Sequence, residues 1–380
     1  MLKSKLADVG TSIFSVMSGM AQEHNAINLS QGFPDFPVSE ALIALVNKYM
    51  VNGFNQYAPM PGVPALREQI ASMLYDRFKH HANPDTDITI TSGATEALFN
   101  CISALVSAGD EVVIFDPAYD SYDPAIRLSG GIPVHLTLKQ PDFSIDWEEV
   151  SATVSEQTKL IIINTPHNPS GAVLKASDMY ELQQLMDQHP QLMVLSDEVY
   201  EHIIFDSLTH ESILKYPGIA SRAVAIYSFG KTFHATGWKI GYTVAPAHIT
   251  SEIRKVHQFV TFSVNTAVQL AIAEYLQNAD NYVSLPEFYQ SKRDFFLAGI
   301  KNSRFEPIAC HGTYFQLLSY ANISSRPDTE MATWLTQAHK LASIPISAFY
   351  QDAQDDHILR FCFAKSEETL TKAAQILCAI

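Results

Sequence analysis

The chain has 380 residues, 47% hydrophobic and 17% charged, the composition of an ordinary globular protein with room for one large domain or a large and a small one. Its net charge of −15 argues against a nucleic-acid partner, which demands a basic stripe, but not against a small anionic substrate, because a cleft can carry the opposite local sign. No apolar stretch approaches membrane-spanning length. Met1 to Leu6 are not followed by the apolar segment of a signal peptide, so a cytoplasmic protein is expected. The four cysteines, Cys101, Cys310, Cys362 and Cys378, fit no zinc spacing and predict neutral thiols in a reducing compartment, with no metal site.

In chain order, short apolar runs over 88–90, 111–115, 132–135, 160–163, 192–195 and 223–226 predict buried strands. Helical patterns fall between them over 96–106, 120–128 and 177–187. Strands apolar on both faces and separated by helices imply a mainly parallel sheet covered on both sides. Ligands of such sheets bind at the carboxyl ends of the strands. After Ile240–Val244 the pattern changes: long helical stretches over 251–278 and 285–302 precede a smaller α+β region. There, 312–317 and 358–363 read as strands and 329–342 and 366–379 as helices. The expected division is a large domain over 30–285 and a small one built from 1–29 and 286–380.

The chemistry gathers at strand ends. Lys231 follows the run Ala223–Ile226 through Tyr227-Ser228-Phe229-Gly230, and Asp197 ends the run that starts at Leu192. A lysine amine able to form a Schiff base and an aspartate able to hold a proton on a ring nitrogen are what a pyridoxal phosphate site needs. Thr91-Ser92-Gly93-Ala94-Thr95-Glu96 joins a strand to a helix; it is either a phosphate cradle or an ordinary capping turn in which Ser92 or Thr95 satisfies the helix start. Asn164 to Gly171 is a rigid Pro/Gly turn, in which Asn168 is either a donor to a ring oxygen or a plain turn residue. Arg360, inside the apolar run 358–363, needs an anion, which a structural carboxylate or a substrate carboxylate supplies equally well. Lys239 is either a phosphate ligand or a solvated lysine, and Tyr119 either stacks on a planar ring or packs in the core.

These segments, together with Asn28 to Asp35 and Gln56 to Gly62, stand in an order and spacing that resembles the fold type I, pyridoxal-phosphate-dependent aminotransferases of class I/II over nearly the whole chain. The resemblance implies a mainly parallel seven-stranded sheet in a large α/β domain plus a small α+β domain. It implies Lys231 as Schiff-base lysine and base, Asp197 on the pyridine nitrogen, and Asn168 and Tyr200 on the ring oxygen. Gly93, Ala94, Thr95, Ser228 and Lys239 would hold the phosphate, and Tyr119 would stack on the ring. Arg360, with Asn168 and Gly32, would bind the substrate carboxylate. Family members are homodimers with shared active sites, so Tyr57 would reach the partner's phosphate and Phe262 the partner's substrate pocket.

The sequence departs from aspartate-type members. Lysine stands at position 239 where those have arginine, and no second arginine is evident for a dicarboxylate. The details are similar to methionine-preferring aminotransferases and to the glutamine transaminase K/kynurenine aminotransferase group. An apolar pocket of Phe14, Phe33, Tyr119, Phe262 and Phe349 would accept methionine, phenylalanine or glutamine-like side chains, with a 2-oxo acid as amino acceptor. Kynurenine transamination and β-elimination from cysteine S-conjugates are the alternatives on the same fold.

Overall fold

The computed structural model describes residues 3–380. Its main sheet has seven strands: β1 (Ile88–Thr91), β2 (Glu111–Asp116), β3 (Ile132–Thr137), β4 (Thr158–Asn164), β5 (Met193–Asp197), β6 (Ala223–Ser228) and β7 (Gly241–Val244). They lie in the order β1-β7-β6-β5-β4-β2-β3. All run parallel except β7, which pairs antiparallel with both β1 and β6. Central strands are closed to solvent on both faces, as in Val112, Val113 and Ile114 or Leu160 and Ile161. Each such side chain contributes roughly 1.5–3 kcal/mol of burial. The sheet class read from the sequence is therefore the one formed.

A second, antiparallel sheet is built from β8 (Glu306–Pro307), β9 (Phe315–Ser319), β10 (Ile344–Pro345) and β11 (Ile358–Cys362), in the order β10-β11-β9-β8. Beside it, Ile27–Asn28 pairs in parallel with Leu341–Ala342, tying the N-terminal segment to the C-terminal region.

Several boundaries differ from expectation for identifiable reasons. The stretch 251–278 is two helices, Ala247–Val260 and Thr266–Tyr275, not one. Phe262 between them has φ +65°, a conformation no helix interior tolerates, and Asn265 caps the second helix by accepting from the Val268 N–H at 3.1 Å. The helix expected over 329–342 is Asp328–His339; Lys340 turns left-handed at φ +60°, which frees 341–342 for its short strand. Gly312 makes only an isolated bridge to Ile204, Thr313 and Tyr314 form a bend, and the strand begins at Phe315. Helices Ile13–Glu23, Glu40–Val51 and Pro64–Phe78 were not read from the sequence. Their start signals were present: Ser12 accepts from the Ser15 N–H, Glu40 sits in a first turn, and Pro64 opens its helix. Helix Gly93–Leu105 starts three residues before the expected Glu96, which places Ala94 and Thr95 in its first turn.

Candidate active site

Each strand feeding the site ends at one edge of the main sheet. Asn164 closes β4, Asp197 closes β5 and Ser228 closes β6, with Lys231 three residues beyond. β1 runs into Gly93 at the same edge, and because β7 is antiparallel, Lys239 and Ile240 enter it there too. A cavity of about 290 Å³ opens at this edge. Of the predicted residues, Gly32, Gly93, Ala94, Thr95, Tyr119, Asn168, Asp197, Tyr200, Ser228, Lys231, Lys239, Arg360 and Phe14 all line it.

At the helix start Glu96 accepts from the Ser92 N–H, and the amides that follow are left open. Ser92 makes no capping hydrogen bond with its side chain, so the alternative of an ordinary capping turn fails at that residue. The amides of the first turn have no intrahelical acceptor. Gly93 has φ +77°, and a Cβ there would lie 3.2 Å from Lys239 Nζ. The lysine ammonium thus sits over the positive end of the helix, and the two together make a site for a dianion. Lys239 itself is held left-handed at φ +51°.

Asp197 is buried and its carboxyl is pushed up to about 6 by that burial, against hydrogen bonds from Tyr122 and the Val199 amide. Tyr122 OH donates to Asp197 Oδ2 at 2.7 Å and the Val199 N–H to Oδ1 at 3.3 Å. Tyr122 was missed in the sequence; its one signal was a polar-tipped aromatic three residues after Tyr119, and only the fold brings it under Asp197. Asn164 proves structural at both ends of its side chain and Asn168 at one. Asn164 Nδ2 donates to the Asp197 carbonyl at 2.8 Å, and its Oδ1 accepts from the Asn168 N–H at 2.7 Å. Asn168 Oδ1 in turn accepts from Arg360 Nη1 at 2.9 Å, which leaves the Asn168 amide N–H groups for another acceptor.

Arg360 is 0% exposed. Nη2 donates to the Ser30 carbonyl at 2.9 Å, Nη1 to Asn168, and Nε to nothing. The guanidinium lies 3.9 Å over the Phe315 ring, with Phe14 at 5.2 Å and Phe349 at 5.5 Å. Burial pulls its pKa down to about 10. All its bonded partners are neutral, so the structural-carboxylate alternative falls: this is a buried cation waiting for an anion.

Lys231 faces the same cavity. Burial pulls its amine down to about 8, with Arg360 and Lys239 acting in the same direction and Cys362 and Asp197 opposing. Nζ donates to Tyr314 OH at 2.9 Å and to the Gly32 carbonyl at 3.3 Å. Tyr119 lines the cavity and stands edge-on to Tyr122 at 5.7 Å.

Four predicted residues do not line the cavity. Phe33 is 45% exposed; Lys365 Nζ sits 4.9 Å over its ring and bonds its carbonyl at 2.7 Å, so it is turned away from the cavity. Tyr57 and Phe262, 82% and 44% exposed, stack edge-on at 5.5 Å on the outer surface. Neither lines the cavity of its own chain. Phe349 does not line it either, but packs 5.7 Å from Phe14, which does.

The model of aminotransferases of class I and II matches residues 24–377. This chain belongs to that family. The methionine aminotransferase of Escherichia coli K12 is 51% identical to it over 376 residues, covering 99% of this chain and 97% of that protein. A solved Escherichia coli structure, described as identifying a methionine aminotransferase function, superposes with a TM-score of 0.98 at 51% identity and covers all of both chains. A kynurenine–oxoglutarate transaminase of Dictyostelium discoideum is 36% identical over 96% of this chain and 93% of that protein. The fold type I reading therefore holds, and the protein is a transaminase of a family that works with pyridoxal phosphate.

The site of this aminotransferase fits that cofactor: an open helix start under a lysine for the phosphate, a buried carboxylate for the ring nitrogen, and a buried amine for the aldehyde. Tyr122→Phe is expected to remove the bond that holds the Asp197 carboxyl down. The pH dependence of cofactor binding then shifts to higher pH, because a higher pKa delays ionisation. Near pH 6 the cofactor Kd should rise about tenfold, the effect of one hydrogen bond to a charged group, and the two proteins should converge at alkaline pH. Identical titrations from pH 5.5 to 8.5 would remove Tyr122 from the account.

Proposed function

We propose that this aminotransferase moves the α-amino group of an apolar or aromatic amino acid, methionine above all, to a 2-oxo acid. The observation that carries the reading is the guanidinium of Arg360, without a carboxylate partner and with its Nε unbonded, facing the Lys231 amine, lowered to about 8 by burial, across one cavity. Pyridoxal phosphate supplies an aldehyde and a ring that takes up the electron pair left when the substrate Cα–H bond breaks. Lys231 would hold the aldehyde and, once displaced by the substrate amine, carry the proton from Cα. Asp197 would keep a proton on the ring nitrogen. Ala94, Thr95, Ser228 and Lys239 would hold the phosphate, Tyr119 one ring face, and Asn168 and Tyr200 the ring oxygen. Arg360, with Asn168 and the Gly32 N–H, would fix the α-carboxylate so that Cα–H points at Lys231.

Arg360 is the one arginine lining the cavity among the described residues, which supports a monocarboxylate over a dicarboxylate substrate. Phe14 presents an apolar wall to the substrate side chain. Hydrophobic fit separates near-isosteres by only about 1–3 kcal/mol, so phenylalanine and glutamine-like chains would also enter. The likeness to a kynurenine transaminase supports kynurenine as the second donor. The exposed apolar residues Met50, Val51, Phe54, Phe259 and Val260 cluster in sequence with Tyr57 and Phe262. They support a homodimer in which Tyr57 and Phe262 complete the partner's site. The pairing of Ile27–Asn28 with Leu341–Ala342 supports a small domain made of 1–29 and 286–380. In described residues no helix is long and apolar enough to cross a membrane, in keeping with the cytoplasmic location proposed.

A visible spectrum of the cofactor-loaded protein, taken before and after methionine without any 2-oxo acid, tests the reading. The aldehyde-form band should give way to the amine-form band with stoichiometric release of the 2-oxo acid. A spectrum unmoved by methionine but moved by phenylalanine or kynurenine would overturn the methionine assignment alone.

A further inference from the structure

Lys231 must be more than uncharged to serve its proposed role; its lone pair must also be free. A neutral amine carries two N–H bonds and one lone pair. Lys231 Nζ has two hydrogen-bond neighbours, Tyr314 OH at 2.9 Å and the Gly32 carbonyl at 3.3 Å. A phenol can either accept an N–H or donate its own proton to the nitrogen. The second choice would tie up the lone pair. Here the phenol proton is already committed: Tyr314 OH donates to the same Gly32 carbonyl at 2.6 Å. The tyrosine oxygen is thereby left as an acceptor toward Lys231.

The arrangement is fixed on each side. Tyr314 is 0% exposed. Its carbonyl accepts from the Phe363 N–H at 2.9 Å, and its ring packs on Tyr200 at 5.2 Å. Gly32 lies so close to Phe315 that a Cβ would meet its Cζ at 2.8 Å, and Nε2 of the preceding Gln31 donates to the Phe14 carbonyl at 3.1 Å. Burial holds the Tyr314 phenol well above its ordinary pKa, so the donor proton stays on. The other groups acting on the amine are Asp197, Arg360, Lys239, Cys362 and the Tyr200 ring, and none of them hydrogen-bonds it.

We propose that Tyr314 is a positioning residue for Lys231: with the Gly32 carbonyl it occupies both N–H bonds of the amine and leaves the lone pair free for the cofactor aldehyde and for the substrate proton. The inference rests on the role of Lys231 given above. In the capture step Lys231 adds its lone pair to the aldehyde carbon. A carbon–nitrogen double bond replaces the carbon–oxygen one, and the oxygen leaves as water with both amine hydrogens. No oxidant or further reactant enters.

The test separates capture from binding. Full-length protein freed of cofactor, wild type and Tyr314→Phe, is mixed with pyridoxal phosphate, and the covalent band is followed in time from pH 6 to 9. In parallel, cofactor Kd is measured by equilibrium dialysis for Lys231→Ala and for Lys231→Ala/Tyr314→Phe, where no covalent bond can form. The expected result is capture slowed about 2–10-fold by the loss of one hydrogen bond, with the two Kd values equal. Capture at the wild-type rate overturns the proposal. So does a Kd that rises in the double variant as much as capture slows, since Tyr314 would then only shape the pocket. A wild-type protein that binds the cofactor without covalent capture overturns the role of Lys231, and this inference with it.

Discussion

Lys231→Ala is expected to abolish amino transfer from methionine to a 2-oxo acid. The side chain would serve twice, as the amine that holds the cofactor aldehyde and as the base that moves the Cα proton. Loss of the proton-transfer role alone costs roughly 10²–10⁴-fold. No neighbour can substitute. Tyr200 and Tyr314 are phenols that burial keeps protonated, and Asp197 is engaged by Tyr122. Capture of the cofactor by the wild-type protein should also slow on the acid side. Burial sets the Lys231 amine at about 8, so its neutral fraction falls as pH drops through that value. A variant retaining more than about a hundredth of wild-type kcat/KM would remove Lys231 from the reaction.

Arg360→Lys is expected to lower kcat/KM by roughly 10–150-fold, the equivalent of about 1.5–3 kcal/mol for one charge-assisted hydrogen bond. Both side chains carry a charge, so the loss isolates geometry. The guanidinium fork already bonds Asn168 and Ser30 and keeps further N–H groups, Nε among them, for a carboxylate. An ammonium offers its donors from one point and cannot lie flat on the Phe315 ring as the guanidinium does at 3.9 Å. The measurement is kcat/KM for methionine beside that for the matching amine without a carboxylate. The variant should narrow the gap between them. An unchanged gap would place the substrate carboxylate elsewhere.

How much of the site was legible depended on how local each signal was. Lys231, Asp197 and Asn168 follow apolar strands, so the strand pattern alone carries them to one sheet edge. Arg360 was conspicuous as a cation inside an apolar strand, but what it pairs with is a long-range fact. Ser30 lies 330 residues away and Asn168 192 residues away. Tyr122 gave only the weak sign of a polar-tipped aromatic close to Tyr119 and Tyr314 gave none, because an aromatic near a strand end is usually core. Phe33 shows the converse failure. An aromatic beside Gly32 was read into the pocket, yet the chain turns at that point and the Lys365 ammonium takes its ring.

The sequence by itself determined the sheet class, the sequence positions of six of its seven strands and the residue types that carry the chemistry. These follow from apolar runs of strand length and from side chains whose functional groups admit few roles. Only the tertiary structure decided which polar groups would be left without partners. The open start of helix Gly93–Leu105 under Lys239, the orphan Nε of Arg360 and the lone pair of Lys231 all depend on where distant backbone carbonyls and phenols come to rest. A hydrogen bond needs its partners at about 3 Å, and sequence spacing fixes no such distance between residues hundreds of positions apart.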